Sequence, residues 1–229
     1  MARLPADPEG FIRANTALER PAMVPEFELW LASEYVPIWQ ATEDWLEQQN
    51  VDPPYWAFCW PGGQAVARYL LDHPDSVRGK RVLDFAAGSG VSSMAAAQAG
   101  AQSVTANDID LLSLVAARLN ASANGLAVAV SADDWLAKPE TAPTADVVIA
   151  GDVCYEREMS AQALDWLRGH ANAGRLVLLG DPGRNYFSAQ GLQELARYDI
   201  PTSLQLENRG MRETVVWLVM PHPSDVRIP

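Results

Sequence analysis

Several acids and glycines in this chain stand at spacings that could do chemistry. Residues Val82-Leu83-Asp84-Phe85-Ala86-Ala87-Gly88-Ser89-Gly90 read as a short apolar strand that ends in an acid and enters a small-residue turn. In parallel α/β sheets, ligands bind beyond the carboxyl ends of the strands, and glycine lets them come close to the backbone. The nicotinamide fingerprint is not met, because Ser93 stands at its third glycine position and Asp84 precedes the turn. A carboxylate there would repel a diphosphate. It would accept the cationic sulfonium, amine and ribose hydroxyls of S-adenosylmethionine, whose demethylated product is S-adenosylhomocysteine. A second strand runs into Asn107-Asp108-Ile109-Asp110, and Asp108 follows Asp84 at close to the ~20-residue spacing of a ribose-binding acid. A third is followed by Ala132-Asp133-Asp134-Trp135, where Asp133, Asp134 or the backbone can meet the adenine amine while Trp135 packs on the ring. Taken singly, each of these acids is an ordinary turn former or helix cap. The ordered set is what points to a cofactor, held by Asp84, Ala86, Gly88, Gly90, Asp108, Asp133, Asp134 and Trp135.

Such a set needs a scaffold of alternating strands and helices, and the chain supplies one. Apolar runs at 81–85, 103–107, 126–131, 146–151 and 175–179 read as strands, and the stretches 64–72, 91–99, 111–123, 158–168 and 188–197 read as helices. The continuous run Asp146-Val147-Val148-Ile149-Ala150-Gly151 suits a strand covered on both faces. Alternation of this kind predicts a doubly wound α/β fold with a mostly parallel, Rossmann-like sheet. Residues 203–207 and 212–220 close the chain as two strands joined so shortly that they must be antiparallel. Residues 1–60 differ in texture, with helical patches at 11–20 and 39–49. They read as an N-terminal helical extension or lid on a catalytic domain spanning 61–220, with 221–229 as a tail.

Composition narrows the partners. The chain has 229 residues, 17 basic against 29 acidic, and a formal net charge of −12. Phosphate binding wants the opposite sign, so nucleic acid is not expected, whereas a basic protein surface or a small molecule is. Two cysteines and three scattered histidines offer neither a disulfide framework nor metal-ligand spacing, so no metal is expected. No apolar run approaches the ~18 residues of a membrane span, and the N-terminus reads as neither a secretory signal nor a transit peptide. A cytoplasmic monomer is the expectation.

The chain also resembles a known family. Residues 54–65 (PYWAFCWPGGQA), 68–72 (RYLLD), Asn107-Asp108-Ile109-Asp110, Gly151-Asp152-Val153-Cys154-Tyr155 and Gly180-Asp181-Pro182-Gly183-Arg184 are similar to blocks of one subgroup of class I methyltransferases. These are the seven-strand lysine methyltransferases that modify the beta subunit of electron transfer flavoprotein, and the likeness spans roughly residues 25–220. Ala86 departs from it, where many class I enzymes carry glycine. The resemblance implies a sheet in the order 3-2-1-4-5-7-6 with strand 7 antiparallel. It implies that Asp152 and Tyr155 face the target lysine, that Trp60 lies beside the cofactor, and that Gln64 in the same block helps hold the methionine end. Arg184 becomes a candidate substrate contact.

The reaction so implied is methyl transfer from S-adenosylmethionine to a neutral lysine amine, with electron transfer flavoprotein beta subunit as the leading partner. A free lysine has a pKa of ~10.4, which burial lowers and a neighbouring carboxylate raises. Asp152 therefore reads as docking and orienting the amine rather than as a base, and Tyr155 as a wall with a hydroxyl. Two other readings stay open at this point: methylation of a small nitrogen compound such as nicotinamide, and cofactor binding without turnover.

Overall fold

Alternate residues of the central strands feed two separate cores, and this division organises the molecule. The computed structural model describes residues 4–32, 54–202 and 210–222. Its main sheet contains β3 (Arg81–Phe85), β4 (Ser103–Asn107), β5 (Ala129–Ser131), β6 (Val147–Gly151), β7 (Leu176–Asp181), β8 (Leu192–Pro201) and β9 (Met211–Val219). Side chains on a strand alternate between faces. Val82, Val104, Val147, Ile149 and Leu178 accordingly pack on one side, beneath α2 (Pro61–Asp72) and α3 (Val91–Gln98). Leu83, Phe85, Val148, Ala150, Val177 and Leu179 pack on the other, beneath α5 (Arg157–Asn172). α3 is buried nearly all round, which explains its run of small residues Ser92, Ser93, Ala95 and Ala96.

The strands lie in the order β5-β4-β3-β6-β7-β9-β8. Counted within this sheet that is 3-2-1-4-5-7-6, with β9 antiparallel to both its neighbours. The predicted doubly wound α/β fold is therefore present. Its chain order reverses between β4–β3 and β3–β6, so the carboxyl ends of β3, β4 and β6 open onto one crevice.

Three expectations need correction. The stretch 188–197 is not a helix, since residues 192–201 form β8. A β-bulge between Glu194 and Ala196 interrupts the two-residue alternation. It sets Leu192, Leu195 and Ala196 at the three- and four-residue intervals that mimic a helix. The run at 126–131 shortens to β5, because the Leu126 amide instead donates to the Ala121 carbonyl and closes the end of α4 (Leu111–Ala123). The N-terminal extension is mixed rather than helical. The 11–20 patch becomes α1 (Pro8–Asn15), capped by Asp7, and then β1 (Ala17–Glu19), which pairs antiparallel with β2 (Leu29–Leu31). This unit is tied to α4: Asn124 accepts from the Glu28 amide and Asn120 from the Trp30 amide. The predicted helix at 39–49 and strand at 203–207 lie outside the described residues. Among those described, no helix is long and apolar enough to cross a membrane.

Candidate active site at the carboxyl ends of the central strands

The turn after β3 is built on backbone conformations that L-residues rarely adopt. Gly88 and Gly90 have φ of +51° and +79°, and Ala86 shares the left-handed region at +54°. Gly90 is also sterically required, since a Cβ there would lie 2.8 Å from the Ala117 Cβ on α4. At Gly88 a Cβ would meet nothing within 4 Å among the described residues, so its absence serves conformation and leaves the turn open to the crevice. Ala86 supplies a methyl where glycine would be easier, and holds a strained position.

Asp84, one residue before the end of β3, is almost fully buried, with the Ser93 hydroxyl donating to its Oδ2 at 2.6 Å. Burial pushes its carboxyl up to about 7, partly offset by that hydrogen bond. Asp108 directly follows β4 and accepts from the Gly88 amide (3.0 Å) and the Asp110 amide (3.0 Å). Burial pushes it up to about 6. It thus braces the glycine turn from the neighbouring strand. Asn107 carries the bracing one strand further by donating to the carbonyls of Ser131 and Asp133.

The third strand end matches the prediction less closely. Asp133 is exposed and accepts from the Ser131 hydroxyl, while Asp134 caps the following turn through the Leu136 and Ala137 amides. Trp135 is wholly buried, stacked on Trp166 and packed with Phe85 and Leu83. Its ring supports the floor beneath β3 and is not among the groups lining the crevice.

The opposite wall comes from β6, β7 and the start of α2, which approach until only glycines fit. A Cβ on Gly180 would lie 2.2 Å from the Gly62 carbonyl oxygen, and one on Gly151 would lie 2.6 Å from the Gly63 nitrogen. This contact aims the first amides of α2 at Asp152, whose Oδ2 accepts from Gly62 (2.5 Å) and Gly63 (3.2 Å). Asp152 itself is left-handed, with φ +57°. Its Oδ1 accepts from Arg184 Nε (3.1 Å) and an η-nitrogen (2.6 Å). The Arg184 guanidinium also lies 5.5 Å from the Trp60 ring centroid.

Trp60 opens α2 and lines the crevice together with Phe58, Gly63, Asp84, Gly88 and Asp152. Its indole donates to the Tyr55 carbonyl at 2.8 Å. The Tyr55 ring lies 5.5 Å from that of Tyr155, and both are about half exposed (48% and 43%). Gln64 is buried behind this wall, where its amide nitrogen holds the Cys59 carbonyl at 2.7 Å and its Oε1 has no hydrogen-bond partner among the described residues. It does not line the crevice.

Asp84, Ala86, Gly88, Trp60 and Asp152 are thus brought together, with Asp108 against Gly88 and Arg184 against Asp152. Sequence reading missed Phe58, Gly63 and Ser92 as lining groups, and it missed the glycine contact that positions Asp152. The signal for that contact was a doubled glycine after Pro61 together with glycines ending two apolar strands. Among the described residues, no group of three or more His, Cys, Asp and Glu could hold a metal. A nucleoside bearing a cationic amino-acid tail suits what is present: an open glycine turn and a buried acid, Asp84, on the crevice wall.

Comparison with known proteins agrees. The family model described as ribosomal protein L11 methyltransferase (PrmA) matches residues 69–153. Magnesium protoporphyrin IX methyltransferase from Synechocystis PCC 6803, solved with bound SAM, shares the fold at 20% identity and a TM-score of 0.50, over 68% of this chain and 77% of that one. The electron transfer flavoprotein beta subunit lysine methyltransferase of Xenopus laevis is 39% identical over 220 residues, which is 93% of this chain and 87% of the relative. That of Homo sapiens is 34% identical over 232 residues, covering 94% and 84%. With likeness of this degree over most of both chains, the protein belongs to the electron transfer flavoprotein beta subunit lysine methyltransferase family.

Proposed function

We propose that this protein transfers methyl groups from S-adenosylmethionine to lysine side chains of electron transfer flavoprotein beta subunit. The observation that carries the reading is the junction of two features: a glycine turn with a buried acid, and a half-exposed aromatic mouth around Trp60, Tyr55 and Tyr155. When bound, S-adenosylmethionine supplies an electrophilic methyl on a sulfonium. The residues holding it would be the 86–90 turn, Asp84, Asp108, Phe58 and Trp60. The protein's own task is to align a neutral amine behind that methyl and to keep water out.

The aromatic mouth suits a long side chain with a basic tip, because aromatic faces attract ammonium groups and their bulk dries the channel. Tyr155 stays a neutral phenol, pushed up to about 12 by burial and by Tyr55, so it orients by hydrogen bonding and does not act as a phenolate base. Cys154 is buried, and its thiol is likewise raised to about 12, which removes it as a competing nucleophile. The formal charge of −12 favours docking of a basic protein surface. A cytoplasmic address and a monomeric enzyme belong to the same proposal.

The test is transfer of labelled methyl from S-adenosylmethionine to purified electron transfer flavoprotein beta subunit, with nicotinamide offered in parallel. We expect label on lysines of the beta subunit. Label confined to the small-molecule fraction would replace this reading with the small-substrate one. Cofactor binding without any label would leave a binding protein.

A further inference from the structure

The site contains a cation of its own beside the acid expected to receive the substrate's cation. Asp152 and Arg184 have only 10% and 15% of their side chains exposed, and they form a two-point pair. The Asp181-Pro182-Gly183-Arg184 turn is built to deliver that guanidinium. Asp181 Oδ1 accepts from both the Gly183 and the Arg184 amides at 2.7 Å, which fixes the turn at the end of β7. The guanidinium also lies over the ring of Trp60. Both carboxylate oxygens of Asp152 are thereby engaged, one by the α2 amides and one by Arg184.

This arrangement alters what Asp152 does to a neighbouring amine. An unpaired carboxylate within ~4–6 Å would hold a lysine as ammonium and raise its pKa by about 1–3 units, against the needs of methyl transfer. Neutralised by a guanidinium, the same carboxylate exerts little net field, and loss of water from the amine in the enzyme–substrate complex can draw it toward its neutral form. We infer that Arg184 is a positioning residue for catalysis: it cancels the charge of Asp152 so that the target amine can lose its proton in the aromatic mouth. The inference rests on the lysine-methylation reading above.

Other ionisable groups surround the pair. Asp181 lies on the same turn as Arg184; Cys154, Tyr155 and Glu156 follow β6; Asp108 follows β4; Tyr55 and Cys59 precede α2. Burial raises the Asp108 and Asp181 carboxyls to about 6, below the range in which a lysine amine loses its proton. Burial raises the Cys154 thiol and the Tyr155 phenol to about 12, above it. Burial raises Asp84 to about 7 on the cofactor side, so the experiment is run at saturating cofactor.

The experiment is the pH profile of kcat, which reports groups in the enzyme–substrate complex. It uses purified electron transfer flavoprotein beta subunit and compares wild type with Arg184→Gln, Arg184→Lys and Asp152→Asn. Arg184→Gln is expected to move the midpoint of the rising limb up by about 1 unit, a loss that approaches roughly tenfold well below the midpoint and vanishes well above it. Arg184→Lys keeps the charge and should keep the wild-type midpoint. Asp152→Asn leaves Arg184 unbalanced and should move the midpoint down, while its amide oxygen can still accept from Gly62. A loss in Arg184→Gln by one constant factor at every pH would overturn the inference, as would a shift in Arg184→Lys equal to that in Arg184→Gln. Should Arg184→Gln fail to fold, the sign of the Asp152→Asn shift decides, and an unchanged or raised midpoint rejects the idea. Wild type that binds cofactor but labels no lysine would instead remove the underlying reading, before any variant is compared.

Discussion

Ala86 shows how one methyl group can record a compromise inside a binding turn. Its φ of +54° lies in the region where a Cβ crowds the backbone, at a typical cost of 1–2 kcal/mol. The same methyl packs against the cluster formed by Leu83, Phe85 and Trp135, which returns part of that cost. Ala86→Gly removes the crowding but frees the unfolded chain, an opposing effect of about 0.4–1 kcal/mol. We therefore expect Ala86→Gly to be neutral or to stabilise by up to about 1 kcal/mol. Urea unfolding should show an unchanged slope and an equal or higher midpoint. A clear fall in the midpoint would mean that packing of the methyl outweighs the backbone strain. The position of the turn and its acid could be read from the sequence, because strand, acid and glycines are local signals. That Ala86 would share the left-handed geometry could be guessed only from the glycine usual there.

The elements that aim Asp152 depend on contacts too close for any side chain, so they can be tested by adding one carbon. Gly180→Ala would place its Cβ 2.2 Å from the Gly62 carbonyl, and a backbone group cannot step aside as a flexible side chain can. Overpacking of this kind typically costs 1–3 kcal/mol, and here it would also push α2 and its amides away from Asp152. Gly180→Ala is expected to lower the melting temperature and weaken S-adenosylmethionine binding together. Gly169→Ala on α5 is the control, where a Cβ meets nothing within 4 Å among the described residues. It should stabilise by about 0.5–1 kcal/mol, through helix propensity alone, and leave cofactor affinity unchanged. Equal behaviour of the two variants would refute the close-contact account. Such long-range contacts leave little trace in sequence, whereas the strands and helices of the central sheet announced themselves by period. β8 is the instructive exception. Its bulge at Glu194 and Ala196 converts an alternating pattern into a helical-looking one, and only the pairing with β9 reveals the strand. Likewise Trp135 has the flat apolar ring expected of an adenine platform, but tertiary packing draws it wholly into the core.

At the scale of the whole molecule, function has been placed where it opposes stability. A chain with a formal charge of −12 also buries acids at the ends of its strands, and their ordinary ionisation is resisted. Asp84 is raised to about 7 by burial, and Asp108 and Asp181 to about 6. A carboxyl whose pKa is higher folded than unfolded binds more protons in the native state, so stability falls as pH rises toward the folded value. His170 works the other way. Burial lowers it to about 4, so its contribution grows as pH rises from there and is nearly complete above its unfolded value of ~6.5. Between pH 6.5 and 8 the histidine has little left to add, Asp108 and Asp181 are mostly ionised already, and Asp84 is still losing its proton. The cofactor-free protein should therefore lose about 1 kcal/mol across that window, or roughly 2–4 °C in melting temperature for a chain of this size. Asp84→Asn cannot ionise and should flatten the slope while weakening S-adenosylmethionine binding. Melting curves at pH 6.5, 7.2 and 8 for both proteins would check this. A slope that survives in Asp84→Asn would assign the pH sensitivity to overall charge repulsion and not to the buried acid of the cofactor crevice.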